Sequence, residues 1–590
     1  MKIFTTKRVQ AIVLALVMMA GVVSGLTRMA GALSITSVNP EKGPIFGGQD
    51  VMINGNFQIQ SIQVTQVSVG YSHTCALDSD GLAYCWGNGA SGRLGNNSTL
   101  NSSVPVAVNT AGVLAGKVLS QISVGREYTC ALDSDGLAYC WGYGASGRLG
   151  NNSTSNSSVP VAVNTAGVLA GKVLSQISAG YSHTCALDTL GLAYCWGQGG
   201  SGQLGYNSSI GSSVPVAVYT SGVLSGKTLS QISAGYNYTC ALDSSGKAYC
   251  WGLGSGGYLG NNSTASYSWP VAVNTSGVLA GRTLIWISSG IGHTCVLDTD
   301  GQAYCWGVNN YSQLGNNLTS YSLVPVAVDT SGALTGKTLS QISAGHYYTC
   351  AIDSIGQAYC WGLNASGQFG NDSTSNSSEP VIVDMSGILV DKTLRRISTS
   401  NGILPTDNNH STCALDTAGQ VYCWGDNSQG RLGNNSTANS LTPVCVHTIL
   451  DGTGSQLPGL GCGRKLTVTF DIDGTPAECV NVVVAADGLS LTCTTTAQVA
   501  GWADVTVDDG VTVVTLTDGY EYVENFEDED KDGDEDEDDD DEDEDRGGGS
   551  LIDKLWSPDS GVGKVMGLIA FGEVLFVVAG LAVFFKLKES

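Results

Sequence analysis

The chain has 590 residues, and its 52 acidic and 26 basic residues give a net charge of −26. This excess of negative charge disfavours a nucleic-acid partner, because binding to phosphate backbones depends on Lys and Arg. Its 18 cysteines, most of them paired at a constant spacing, indicate an oxidising compartment outside the cytoplasm.

Residues 1–32 have the layout of a secretory signal peptide. Basic residues precede an apolar run from Ala11 to Val23, and Ala30-Gly31-Ala32 then offers small side chains for cleavage. An uncleaved membrane anchor is the alternative, although the apolar run is short for a membrane span.

Residues 33–58 contain the string ITSVNPEKGPIFGGQDVMINGNF, which resembles the beginning of an IPT/TIG domain, an immunoglobulin-like β-sandwich. Residues 463–523, from KLTVTF through LTCTTTA to DGYEYV, resemble the rest of such a domain. The first segment is too short to bury a core alone. We therefore expect both segments to form one sandwich, with the intervening chain inserted in one of its loops.

The intervening residues 59–457 contain seven copies of a repeat of about 55 residues. Alternating apolar and polar residues, separated by Gly, Asn and Ser clusters, predict four strands in each copy. Four strands at a fixed period favour the blades of a β-propeller. The predicted fold class is therefore all-β.

Each copy has two cysteines ten positions apart. A three-residue loop at Ser79-Asp80-Gly81 places Cys75 opposite Cys85, which predicts a disulfide inside every blade. Buried free thiols or a metal site are the less favoured alternatives. The predicted disulfides within the blades join Cys75 with Cys85, Cys130 with Cys140, Cys185 with Cys195, Cys240 with Cys250, Cys295 with Cys305, Cys350 with Cys360, and Cys413 with Cys423. Two further predicted disulfides join Cys479 with Cys493 in the sandwich and Cys445 with Cys462 after the propeller.

The string HTCALDSDGLAYCWG, followed by GRLG, resembles the regulator-of-chromosome-condensation type of propeller repeat. Gly70, His73, Gly81, Trp86 and Gly95 stand at positions of that motif. The resemblance implies a seven-bladed propeller, and it offers nucleotide exchange on a small GTPase or inhibition of an extracellular enzyme as alternative functions. The predicted compartment argues against the exchange function.

The C-terminal part begins with an acidic linker, residues 524–562. Within it, Asp528, Asp530 and Asp532 match the start of an EF-hand loop, so loosely bound calcium is a possible cofactor beside a plain extended linker. Residues 563–586 are apolar enough for one transmembrane helix, and residues 587–590 would form a cytoplasmic tail. Glu573, in the middle of the span, has no assigned role.

We find no catalytic motif in the sequence and do not expect an enzyme. His73, His183 and His293 belong to the repeat motif, so we expect them to make structural hydrogen bonds. The loop before the first cysteine of each repeat varies while its frame stays constant, and tyrosine-rich loops make good contact surfaces. The candidate binding residues are Tyr71, Arg126, Tyr128, Tyr181, Tyr236, Tyr238, His346, Tyr347 and Tyr348.

Ordinary solvated loop residues are the alternative for any single one of these positions. The sequence as a whole predicts a single-pass cell-surface protein that acts in binding or adhesion. Its expected partner is an extracellular protein or a glycan.

Overall fold

The computed structural model describes residues 34–40, 42–44, 50–56, 63–400, 410–447, 449–450, 456–457, 467–472, 475–478, 480–484, 490–495, 501–508 and 513–523. The predicted signal peptide, acidic linker, calcium candidates, transmembrane segment and tail lie outside these ranges and stay predictions. Within these ranges, no helix is long and apolar enough to cross a membrane.

The repeats form seven four-stranded antiparallel meanders, which confirms the all-β fold class and the seven-bladed propeller. Blade 1 contains Val64–Val69, His73–Asp78, Ala83–Gly87 and Ser102–Ala107; blade 2 contains Leu119–Val124, Tyr128–Asp133, Ala138–Gly142 and Ser157–Ala162; blade 3 contains Leu174–Ala179, His183–Asp188, Ala193–Gly197 and Ser212–Ala217. Blade 4 contains Leu229–Ala234, Tyr238–Asp243, Ala248–Gly252 and Tyr267–Ala272; blade 5 contains Leu284–Ser289, His293–Asp298, Ala303–Gly307 and Ser322–Ala327. Blade 6 contains Leu339–Ala344, Tyr348–Asp353, Ala358–Gly362 and Ser377–Ile382; blade 7 contains Leu394–Thr399, Ser411–Asp416, Val421–Gly425 and Ser440–Cys445.

Short 3₁₀ turns lie in the connections between these strands. They are Ala90–Gly92, Gly112–Leu114, Ala145–Gly147, Gly167–Leu169, Ser255–Gly257, Gly277–Leu279 and Gly387–Leu389.

The hairpin between the second and third strands of a blade explains the cysteine spacing. In blade 1, Asp78 N donates to Leu82 O, and Gly81 takes the positive φ of 76° that closes the three-residue loop. Cys75 then lies opposite Cys85, with their Cα atoms 4.1 Å apart.

The other six blades repeat this hairpin, and the structure confirms all seven disulfides predicted within the blades. In each blade the two cysteines form a directly opposed pair of the second and third strands, as Cys130 and Cys140 do in blade 2. The seven disulfides join Cys75 with Cys85, Cys130 with Cys140, Cys185 with Cys195, Cys240 with Cys250, Cys295 with Cys305, Cys350 with Cys360, and Cys413 with Cys423. The alternatives of buried free thiols and of a metal site at these cysteines are therefore wrong.

The hydrophobic core is divided among the interfaces between neighbouring blades. Between blades 2 and 3, for example, Tyr128 of one blade and Trp196 of the next belong to one buried cluster. An equivalent cluster joins blade 7 to blade 1, with Leu415 on one side and Trp86 on the other. The propeller is therefore a closed ring, which protects the sheet edges that an open array would expose.

The first strand of each blade lies nearest the axis, and in blades 2, 3, 4, 5 and 7 a glutamine side chain of the preceding blade binds its backbone. The Gln176 side chain accepts a hydrogen bond from Ile232 N at 2.9 Å and donates to Ile232 O at 3.3 Å. In blade 5, Trp286 stands at the glutamine position, and its Nε1 donates to Ile342 O at 2.8 Å. The repeated string LSQIS thus supplies links between blades.

A serine two residues after this position makes a second link in every blade. Ser178 Oγ accepts a hydrogen bond from Ala234 N at 3.0 Å, and Ser398 Oγ of blade 7 accepts one from Val69 N of blade 1 at 3.0 Å. The remaining links run to the serine Oγ atoms of Ser68, Ser123, Ser233, Ser288 and Ser343. These bonds satisfy backbone donors that have no strand partner.

The chain after blade 7 returns to blade 1. Ile449–Leu450 pairs in parallel with Ser102–Ala107, and Gln456–Leu457 pairs with Ile449–Leu450, so the sheet of blade 1 has six strands. Cys445 is disulfide-bonded. Its predicted partner Cys462 lies outside the described residues, as does Cys479, so both remaining pairings stay predictions.

Strands from before the propeller pair with strands from after it, in two sheets. One sheet has the order Ser34–Asn39, Asp50–Asn56, Ser490–Thr494, Val480–Val484. The other has the order Lys42–Pro44, Val513–Val523, Gly501–Asp508, Thr467–Ile472, Thr475–Glu478. The assignment of these two sheets to a TIG domain stays a prediction.

Candidate functional site

One end of the propeller carries the loops that the sequence singled out. Each blade contributes the loop between its first and second strands and the longer turn after its third strand, and the two meet where Asn88 N donates to Ser72 O. We call the surface formed by these loops the axial face. Its side chains differ from blade to blade on a nearly constant backbone frame.

In blades 1 to 4, the residue after the loop glycine contributes to a continuous stack of side chains. The Arg126 guanidinium carbon lies 4.5 Å from the ring centre of Tyr181 and 5.5 Å from that of Tyr71. The rings of Tyr181 and Tyr236 meet edge to face with their centres 4.4 Å apart. Cation–π and edge-to-face contacts of this kind hold partly exposed aromatic side chains in place.

A second group of tyrosines lies over blades 4 to 6. The Tyr311 and Tyr347 rings have centres 5.0 Å apart, and Tyr347 also stacks on His346 at 3.7 Å. Tyr258 belongs to the turn after the third strand of blade 4. Burial raises the pKa of the Tyr347 phenol, and the hydroxyl groups of Tyr258, Tyr311 and Tyr236 add smaller contributions in the same direction.

Four candidate residues lie below this surface, and the prediction that they form contacts with a partner is wrong. Tyr128, Tyr238, Tyr348 and His346 are fully buried. Each of the three tyrosines begins a second strand, and its hydroxyl donates to a backbone carbonyl of the next blade, as Tyr128 does to His183 O at 2.6 Å. Their role is to join blades.

The histidines of the repeat motif play the same joining role in alternate blades, as the sequence predicts. His183 Nε2 is 2.8 Å from Thr239 Oγ1 of the next blade, and His73 and His293 make the equivalent contacts. Burial lowers the pKa of His183 to about 3, helped by the nearby Arg148 guanidinium, and burial alone lowers the pKa of His293 to about 3. These imidazoles are neutral in the folded protein at ordinary pH.

The variable residue of the G-x-L-G turn forms a further layer that the sequence analysis missed. Its side chain lies under the loops of the next blade, while its carbonyl accepts bonds from that blade. Trp196 Nε1 and Thr184 Oγ1 both donate to Arg148 O, at 3.0 and 3.1 Å. Around the ring this position holds Arg93, Arg148, Gln203, Tyr258, Gln313, Gln368 and Arg431.

The axial face is divided electrostatically. Apart from Asp372 of blade 6, its charged side chains belong to blades 7, 1 and 2, where Arg431 pairs with Asp426 at 3.0 Å and Glu127 lies 4.0 Å from both Arg93 and Arg126. The tyrosines of blades 3 to 6 form the other part. No cluster of three or more His, Cys, Asp or Glu able to hold a metal occurs in the described part of the chain.

A closed ring of seven four-stranded blades linked through their inner strands defines a β-propeller of the chromosome-condensation repeat type. The model of the RCC1-like domain matches residues 33–404, and that of the RCC1 repeat matches residues 418–468. The chain therefore belongs to the RCC1-like domain family.

Known relatives match this chain over about two thirds of its length. The ultraviolet-B receptor UVR8 of Arabidopsis thaliana is 28% identical over 67% of this chain and 84% of its own length. The human E3 ubiquitin-protein ligase HERC2 is 27% identical over 67% of this chain, but the match covers 8% of HERC2. Ligase activity therefore does not transfer to this chain.

Two solved structures show the same fold. Human WBSCR16 has a TM-score of 0.53 and 18% identity, and the match covers 71% of this chain and 99% of that one. Prp20p of Saccharomyces cerevisiae, described with its binding to Gsp1p and histones, has a TM-score of 0.50 and 22% identity over 57% and 80% of the two chains.

Proposed function

We propose that the protein is a membrane-anchored cell-surface protein that binds an extracellular partner through the axial face. The observation that carries the proposal is the stack of Tyr71, Arg126, Tyr181 and Tyr236, which is partly exposed and held by ring contacts. Tyr and Arg are the residues that most often dominate binding energy at protein interfaces. The constant blade frame explains how the face varies without loss of the fold.

The proposed setting comes from the sequence and the disulfides. Seven disulfides inside the blades suit an oxidising compartment, and the predicted signal peptide and apolar segment 563–586 would place the propeller outside the cell. The paired sheets next to the propeller would form the TIG-like domain between the propeller and the membrane. Proteins described as binding to the related Prp20p support a protein partner as the first candidate.

Two other functions are less well supported. Exchange of nucleotide on a small GTPase would need a cytoplasmic partner, which the disulfide-rich propeller would not meet. Inhibition of an extracellular enzyme would be a special case of binding through the axial face. A nucleotide-release assay with a small GTPase tests the first alternative. Our proposal predicts that the protein does not accelerate nucleotide release.

The proposed function is tested with variants taken from sibling blades, which the frame already accommodates. Arg126→Tyr introduces the residue of blade 1, and Tyr181→Ile introduces the residue of blade 5. Leu190→Ser, at an exposed hairpin tip on the opposite end, is the matched control and copies blade 4. Purified protein is applied to arrays of extracellular proteins and glycans, and its hits are then titrated with each variant.

We expect both axial-face variants to weaken binding and the control to bind like the unchanged protein. Binding that is unaffected by Arg126→Tyr and Tyr181→Ile, but lost in Leu190→Ser, would contradict the proposed surface.

A further inference from the structure

The long turn after the third strand of each blade contains one exposed residue with a left-handed backbone. In blade 1 this residue is Asn97, with a φ of 62°, and its N donates to Ser158 O of blade 2 at 2.9 Å. Asn and Asp adopt this conformation more readily than other side chains. Around the ring the position holds Asn97, Asn152, Asn207, Asn262, Asn317, Asp372 and Asn435, all exposed and all with φ between 55° and 64°. We call these seven residues the rim positions.

Each of the six rim asparagines begins an Asn-x-Ser/Thr sequence, the acceptor pattern for N-glycosylation. In blade 1 it reads Asn97-Ser98-Thr99, and Ser98 Oγ serves the turn by accepting a hydrogen bond from Leu100 N at 3.1 Å. The Thr99 hydroxyl is exposed and makes no hydrogen bond within the described residues. The same holds for the hydroxyls of Thr154, Ser209, Thr264, Thr319 and Thr437. The turn therefore accounts for the asparagine but not for the hydroxyl two residues later.

The structure also selects between two overlapping acceptor sequences in this turn. Asn96 begins a second one, which ends at Ser98, but Asn96 Oδ1 is buried. At the equivalent position of blade 7, Asn434 Oδ1 accepts a hydrogen bond from Asn427 Nδ2 at 3.0 Å, within the same turn. The side chain of Asn97, in contrast, is exposed. The second asparagine of the pair is therefore the accessible acceptor.

A third acceptor sequence, Asn101-Ser102-Ser103, is less suitable. Asn101 Oδ1 accepts a hydrogen bond from Gly89 N at 3.0 Å, which ties this side chain to its own turn. Its hydroxyl residue, Ser103, is half-buried in the fourth strand of blade 1. Asn97 and Thr99, which are both exposed, therefore form the best acceptor sequence in this turn.

We propose that the six rim asparagines are N-glycosylated. The donor is an oligosaccharide carried on a lipid diphosphate, and the asparagine Nδ2 forms a bond to the C1 atom of its first sugar. The C1–O bond to the diphosphate breaks, the lipid diphosphate leaves with the electron pair, and one amide proton passes to a base. The modified amide keeps one N–H, so the hydrogen bond from Asn317 Nδ2 to Asp329 in blade 5 can remain.

The position of these residues indicates what the glycans would do. Asn97 lies beside Ser157–Ala162, the outermost strand of blade 2, which has no strand partner on its outer side. Unpaired strand edges can pair with other chains, and bulky polar groups next to them prevent this. The glycans would therefore protect the outer edges of the blades.

The inference rests on the proposed setting outside the cytoplasm, where glycosylated proteins are found. It is tested on the full-length protein purified from the cells that make it. Mass spectrometry of its glycopeptides, with electron-transfer fragmentation, locates a sugar on a particular asparagine whatever the composition of the glycan. We expect sugar on all six rim asparagines and none on Asp372.

Three variants separate the acceptor sequence from the turn. Thr99→Ala removes the hydroxyl and keeps Asn97, so the glycan at Asn97 should be lost while the other five remain. Ser98→Leu copies blade 5 and keeps the acceptor sequence, so it is the matched control and should keep the glycan. Asp372→Asn copies the other six blades and completes an acceptor sequence with Thr374, so it should gain a glycan. Thermal unfolding checks that each variant keeps its fold.

Four results would overturn the proposal: unmodified rim asparagines, sugar on Asn96 and its equivalents instead, a glycan at Asn97 that survives Thr99→Ala, or no gain in Asp372→Asn. Protease treatment of intact cells distinguishes these failures from failure of the proposed function. If protease releases the propeller from the cell surface while the rim asparagines are unmodified, the proposed setting holds and the glycosylation alone is wrong.

Discussion

The serine links between inner strands make a prediction about stability that a matched pair of variants can test. Ser178→Ala removes the acceptor for Ala234 N, a bond of 3.0 Å to the next blade. Ser175→Ala, in the same strand, removes the same atom, but Ser175 Oγ bonds only within its own blade, to Leu187 O at 3.4 Å and Asp188 O at 3.2 Å. The two changes therefore differ in whether a link between blades is lost, although Ser175 is also the more exposed of the two residues.

The magnitude follows from the environment of the orphaned donor. Ala234 is 4% exposed, so its N–H is left largely without water when the serine is removed. An unsatisfied buried donor costs about 1–3 kcal/mol in the free energy of unfolding. The triple variant Ser123→Ala, Ser178→Ala, Ser233→Ala should lose roughly 3–9 kcal/mol if the sites are independent.

The assay is urea unfolding of the purified, oxidised protein, followed by tryptophan fluorescence. The control triple variant Ser120→Ala, Ser175→Ala, Ser230→Ala should change the free energy of unfolding by about 1 kcal/mol or less, because its hydroxyls bond weakly to carbonyls already paired in the sheet. Equal losses in the two triple variants would refute the view that side chains of the LSQIS string hold neighbouring blades together.

Three further predictions concern pH, disulfides and the split domain. Burial holds the pKa of His183 and His293 at about 3, far below the unfolded value near 6.5, so their stabilising effect is complete above pH 6.5 and decreases as the pH falls towards 3. The free energy of unfolding should therefore fall by roughly 2–3 kcal/mol per histidine at pH 4.5. Urea titrations at several pH values measure this dependence of the unfolding free energy on pH, and His183→Gln should reduce it. Non-reducing peptide mapping should find Cys445–Cys462 and Cys479–Cys493 besides the seven disulfides within the blades, and bridges between blades would contradict the pairing. Deleting residues 34–57 removes the strand that pairs with Ser490–Thr494, so residues 467–523 should become sensitive to protease while the propeller stays resistant. Equal resistance of both parts would refute the prediction that the segments before and after the propeller form one domain.

Local sequence signals were sufficient to predict the strands of a blade and its disulfide. The hairpin register depends on a three-residue loop and one glycine, Gly81, so the opposition of Cys75 and Cys85 could be worked out from neighbouring residues. The links made by Ser178 and Gln176 could not, because their partners lie 56 residues away and LSQIS looks like an ordinary alternating strand.

The residues of the candidate site were also only partly predictable from local sequence. Tyr181 and Tyr236 were predicted because one variable loop carries them, but the same three-residue loop also includes Tyr238, which begins the next strand and is buried. The repeat frame alone does not separate these two positions. Tyr258 and Tyr311 were missed because they belong to a different turn, and the variable position of G-x-L-G was the signal that could have found Tyr258.

The most direct test of the central claim is hydrogen–deuterium exchange of the purified protein with and without its captured partner. Binding through the axial face predicts slower exchange in the loops at residues 70–72, 125–127, 180–182 and 235–237. The hairpins on the opposite end, such as residues 79–81 and 189–191, should exchange at unchanged rates. Protection confined to those hairpins, or to the sheets outside the propeller, would contradict the account.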